Sequence, residues 1–195
     1  MRVLLWLLPF CAMLSACNLA WSERPMFSDA QRSMKTFKAG LWVGQDPVCS
    51  FDSALPKERW PKCASWFLVD ANSIAAGKDA EPKDMPIPLL LAEGQPPIVQ
   101  VLGKADENKP AYFFLALRAE DVAQPNEIAA VTLRWVACGT QSQGDAKKGT
   151  AGELVHFPGL DKDCHPLTVD ALRAAALATP TKDEMHWAWV RSDDR

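Results

Sequence analysis

The clearest pattern in the chain runs from Ile128 to Cys138, where Val131, Leu133 and Trp135 alternate with Thr132 and Arg134. A period of two predicts a strand with one buried and one wet face. Met185, Trp187 and Trp189 alternate with His186, Ala188 and Val190 in the same way, predicting a closing strand before a charged tail. Ala64 to Val69 is apolar on both faces except at Ser65, as a well-buried strand requires. Shorter runs at Gly40–Val43, Val48–Phe51, Leu89–Leu91, Ile98–Leu102, Tyr112–Arg118 and Leu154–Phe157 read as further strands. Between them, Ala75 to Pro88 reads as a wet surface loop, Gly103 to Pro110 as a polar turn and Gln141 to Glu153 as a polar loop. One segment has helical character: Thr168 can cap it, Asp170 lies in its first turn, Val169, Leu172, Ala176 and Leu177 make an apolar stripe, and Pro180 follows its end near Ala178. Seven or eight short strands with one helix in the C-terminal half predict a mostly β fold, an antiparallel barrel or sandwich with a packed helix; α+β is the alternative.

The first residues have a different character. Met1-Arg2 brings one positive charge, Val3 to Leu14 is almost wholly apolar, and the small residues Ser15-Ala16 precede Cys17. That is the order of a secretory signal. The apolar run is about a dozen residues, against roughly 20 for a helix that crosses a bilayer, so it predicts export and not an anchor helix. Leu14-Ser15-Ala16-Cys17 resembles the lipobox of bacterial lipoproteins, in which the Cys is diacylated and becomes the N-terminus. The resemblance implies a membrane partner through lipidated Cys17, and Asn18 in place of an Asp implies the outer membrane, facing the periplasm. Two acyl chains satisfy the requirement of stable anchoring. The organisation predicted is a signal peptide over 1–16, a lipidated tether over 17–33, and a single globular β-rich domain over 34–195.

Removing the leader takes away one charge, Arg2, and leaves 20 basic against 24 acidic residues. That balance offers nothing to nucleic acid. The leader also takes Cys11, and lipidation takes Cys17, so Cys49, Cys63, Cys138 and Cys164 remain. An even set in an exported chain predicts disulfides. Of three connectivities, Cys49–Cys63 with Cys138–Cys164 is preferred, because each closes a local loop between neighbouring elements.

Seven tryptophans remain against one tyrosine. Trp42, Trp135, Trp187 and Trp189 sit on strand faces, where core packing is the simpler role; Trp135, Trp187 and Trp189 are also the candidates to line a ligand site. Trp60 and Trp66 flank Cys63 and are expected to pack over its disulfide. Gly40-Leu41-Trp42 resembles the Gly-x-Trp that begins lipocalins and related calycin barrels, including small bacterial inhibitors of secreted metalloproteases. The resemblance implies a barrel, a packing role for Trp42 and an apolar small molecule as ligand.

Catalytic signatures are missing: there is no Gly-x-Ser-x-Gly, no His-Glu-x-x-His and no phosphate-cradling glycine loop. Asp161, Asp163 and His165, with His156 and His186, match no closed metal site, because Cys164 is wanted for a disulfide. No cofactor is implied. The functional expectation is a lipid-anchored envelope protein that acts as a binding or structural module, with an envelope protein or a small apolar molecule as partner. Three alternatives stand beside it: a lipocalin-like binder of a small apolar ligand, a protease inhibitor using residues 18 to 30, and an enzyme built around His156, His165 or His186.

Overall fold

The computed structural model describes residues 18–46, 48–70, 72–78, 86–106, 109–124, 126–141 and 153–192. The lipobox and Cys17 lie outside the described residues. In chain order the strands are β1 (Trp21–Ser22), β2 (Thr36–Phe37), β3 (Gly40–Gly44), β4 (Trp66–Asp70), β5 (Ser73–Gly77), β6 (Ile87–Ala92), β7 (Ile98–Asp106), β8 (Lys109–Gln124), β9 (Glu127–Trp135), β10 (Gly139–Gln141) and β11 (Leu154–His156). Helix α1 (Val169–Ala178) and strand β12 (Met185–Arg191) complete the series.

Each strand from β3 to β9 pairs antiparallel with the next, and β12 then inserts between β9 and β3. Eight strands thus close a barrel with no free edge. The mostly β fold expected from the pattern forms, and of the barrel and sandwich it left open the barrel is the one adopted. The long connection between β9 and β12 holds α1, capped by the Thr168 hydroxyl, which accepts from the Ala171 N–H at 3.0 Å.

Three apolar clusters explain why some strands alternate and others do not. Inside the barrel lie Trp42, Val69, Leu89, Val99, Leu115 and Val131. Outside, Leu90, Ile98, Phe114 and Ala116 of β6 to β8 are covered by Leu172, Ala175 and Ala176 of α1 and by Ala20 and Phe27. Strands covered on both faces read as continuous apolar runs. A third cluster of Leu41, Val43, Cys49, Trp60 and Ala64 forms where the β3–β4 connection folds over the outer face of β3. Both expected disulfides are present, Cys49–Cys63 within that connection and Cys138–Cys164 beside α1.

Several expectations need correction. Val48–Phe51 is not a strand: the Asp46 carboxylate accepts from the Val48 N–H at 2.9 Å, turning the chain into a loop that Cys49 fastens. The Ala75–Pro88 loop is shorter than expected, since β5 reaches Gly77 and β6 starts at Ile87, and residues 79–85 lie outside the description. Gly103–Pro110 is mostly strand, because polar residues at an exposed barrel end still pair through their backbones.

The largest difference concerns residues 18–33. Sequence predicts a tether, yet Ala20 and Phe27 are buried and β1 pairs with β8. The reason is Gln100, a buried amide on the outer face of β7. Its Oε1 accepts from the Met26 and Phe27 N–H groups at 2.8 and 3.0 Å, and its Nε2 donates to the Phe27 carbonyl at 3.2 Å. A buried amide left unpaired costs about 1–3 kcal/mol, so this segment and Gln100 hold each other in place. Within this segment a short 3-10 turn forms over Asp29–Gln31.

Candidate functional site

The ends of the barrel are built from the same inward-facing alternation and finish differently. At the end where β3 begins and β12 stops, Gly40 adopts φ +130°, and a Cβ there would collide with the Arg191 backbone oxygen. This close approach is what the glycine of Gly40-Leu41-Trp42 provides. Trp42, 1% exposed, then fills the barrel axis, its Nε1 donating to the Lys38 carbonyl at 2.8 Å. Phe37 meets the Trp42 ring edge-on at 5.8 Å, brought there by β2, which pairs parallel with β9. This end is plugged.

Towards the other end, where β9 finishes and β12 begins, the interior opens into a cavity of about 340 Å³. Phe67, Phe113, Leu133, Trp135, Met185 and Trp187 line its outer part, and Trp42, Val69, Leu89 and Val131 form its floor. Neighbouring strands supply the walls in register: Met185 faces Leu133 across β12 and β9, and Trp187 faces Val131. The Phe67 and Trp187 rings pack at 4.3 Å, and Phe113 meets Trp135 edge-on at 6.4 Å. No lining side chain carries a charge or titrates. The volume lies at the small end of the roughly 300–1,000 Å³ range of small-molecule sites.

Of the three tryptophans expected at a ligand site, two line this cavity. Trp187 is half-buried in its wall, and Trp135, 38% exposed, stands at its rim. Trp189 does not line it. One register step further towards the plugged end, its Nε1 donates to the Ala39 carbonyl at 2.9 Å and Lys38 Nζ lies 3.6 Å from its ring centre. Phe67 and Phe113 were not singled out from the sequence. Their signal was masked because β4 and β8 are apolar on both faces, so periodicity does not tell inside from outside there.

The histidines do not gather into one cleft. His186 Nδ1 lies 3.2 Å from Glu120 and 3.0 Å from the Thr132 hydroxyl on the outer barrel face. Thr132 donates to Glu120, and that hydrogen bond first, with His186 beside it, holds the Glu120 carboxyl below its ordinary range. Hydroxyl and carboxylate both meet the same ring nitrogen, which leaves no relay from an acid through the imidazole to a nucleophile. His165 sits in a turn capped by Asp161, whose carboxylate accepts from the Asp163 and His165 N–H groups at 2.8 and 2.9 Å. Burial raises the Asp161 pKa, but these hydrogen bonds outweigh it and the net shift is downward. His156 lies with the Cys138 and Cys164 sulfurs, their possible donor atoms all within 4.8 Å. Joined as a disulfide, those sulfurs are not the thiolates that bind metal.

Residues 18 to 30 form no free projecting segment, since Ala20, Ser22 and Phe27 are buried against the barrel. Among the described residues, no helix is long and apolar enough to cross a membrane. No protein-family model, curated protein or solved structure matches the chain.

Proposed function

We propose that this protein is a lipid-anchored envelope protein whose barrel binds a small apolar molecule. The observation that carries the binding reading is the hollow half of the barrel. A protein interior normally packs to crystal-like density, and an unfilled space of this size forgoes dispersion contacts along its whole wall. Here the wall is made of large rings and aliphatic groups without a polar anchor, so its complement is apolar and recognised by shape. The envelope address rests on Leu14-Ser15-Ala16-Cys17 and on two disulfides, which persist in oxidising compartments.

Filling the cavity tests the binding reading. Val101 lines it from β7 and is only partly buried, so Val101→Trp places a ring in the empty space. The wild type is expected to bind a pyrene-labelled fatty acid, read as energy transfer from its tryptophans, and V101W to lose this by about tenfold or more while melting within a few degrees of wild type. Undiminished binding by a folded V101W, or no binding by wild type, would leave a solid envelope module as the better description.

A further inference from the structure

The first described residues after Cys17 lie at the same end of the barrel as the cavity. The Asn18 carbonyl accepts from the Cys138 N–H at 2.8 Å, Leu19 bridges to Ala137, and the Ala20 N–H donates to the Val136 carbonyl at 2.8 Å. Val136 to Cys138 continue directly from Trp135 at the top of β9. Trp135 lines the cavity and also a second groove of about 610 Å³, more polar than the cavity, whose wall includes Asn18 and Leu19. Successive Cα atoms are about 3.8 Å apart, so Cys17 is one such step from a residue fixed beside the rim. There is no slack here of the kind the tether reading assumed.

We propose that this end of the barrel is held against the bilayer by the Cys17 lipid, and that the cavity takes an acyl chain directly from a lipid of that membrane. The inference deepens the reading above and rests on both of its parts, the lipidated Cys17 and the ligand-binding cavity. Three features support it. The plugged end, sealed by Phe37 and Trp42, faces away, so the interior is reached from the anchored end. The rim carries the half-exposed Trp135, a ring type that settles at the membrane–water interface. From that rim to the floor the wall is apolar, so each methylene that enters passes from lipid to protein without full hydration.

The neighbouring groove suits the polar end of such a lipid. Arg134, Thr140, Gln141, Lys182 and Asp183 line it, and in its wall Asn18 Oδ1 and Arg134 Nε are buried with no hydrogen-bond partner among the described residues. The other Arg134 nitrogens are held by Glu184 at 3.2 Å and by the Ala176 carbonyl at 2.8 Å. Tail in the barrel and headgroup in the groove, on either side of Trp135, is the arrangement proposed.

A spacer between Cys17 and Asn18 tests this. A Gly/Ser insertion of about 20 residues spans roughly 25 Å on average and frees the barrel from the surface without altering either site. Lipidated wild type and the spacer variant are anchored to phosphatidylethanolamine/phosphatidylglycerol vesicles containing a pyrene-labelled phospholipid, and energy transfer from tryptophan to pyrene is followed. Each is also titrated in solution with a pyrene-labelled fatty acid. The proposal expects equal solution binding and about tenfold slower uptake from vesicles by the spacer variant, because effective concentration falls with linker length. Equal solution binding with equal uptake would overturn the membrane route and leave the cavity reading standing. No solution binding by either protein or by an unlipidated Cys17→Ala variant would overturn both. Solution binding by C17A alone would mean that the protein's own acyl chain fills the cavity, which also overturns the proposal.

Discussion

The two ends of the barrel are made from the same kinds of residue and differ in how completely they are filled. At the plugged end Trp42 and Ile128 are almost wholly buried, and Phe37 arrives on an added strand to cover them. At the open end Trp187, Leu133 and Met185 are only half-buried, and about 340 Å³ stays empty. The difference teaches that inward-facing apolar residues do not by themselves make a solid barrel. Eight strands enclose a space that side chains can just fill or that can hold one small ligand. A cross-chain element decides which: β2 carries Phe37 across one end, whereas Trp135 at the other stands at the rim.

The comparison can be broken by removing the plug. Trp42→Ala is expected to cost about 3–5 kcal/mol, because a fully buried ring leaves a cavity that the rigid barrel cannot collapse around. Urea denaturation measures it, and a loss under about 1 kcal/mol would show that the plugged end is not solid. Breaking Cys138–Cys164 should have the next largest effect, about 2–4 kcal/mol, since the bond closes a loop with a sequence separation of 26 residues. It also fastens the segment that leaves the rim, so thermal melts of Cys138→Ala/Cys164→Ala should fall while V101W-sensitive ligand binding survives in the folded fraction. The smallest effect is expected at the rim. Trp135→Ala removes a ring already 38% exposed beside empty space, and about 1 kcal/mol is expected in the same denaturation experiment. A cost equal to that of W42A would erase the contrast between the ends.

Particular elements show how much was legible in the chain. β9 and β12 were readable because one face packs inside the barrel and the other meets solvent and polar partners, so hydrophobicity alternates. α1 was readable from its cap, its stripe and its proline stop, all of which are local. β7 and β8 were longer than their apolar cores suggested, since their ends are held by backbone pairing that polar side chains do not disclose. Residues 18–33 were misread because their order depends on Gln100, more than 70 positions away, and nothing local announces that partner.

The candidate site divides in the same way. Trp135 and Trp187 were legible as strand residues on an apolar face, but the same reasoning chose Trp189, which the barrel carries one step too far towards the plugged end. By itself the amino-acid sequence determined the two local cysteine pairs, the β-rich class and the helix at Val169–Ala178, because each is written in residue type and short-range spacing. Only the tertiary structure decided that the barrel closes, that half of it is hollow, and that residue 18 is fixed beside the hollow end. Those properties depend on how faces from eight strands, a helix and an N-terminal segment meet in space, and a one-dimensional pattern does not record which apolar residues fill the volume they enclose.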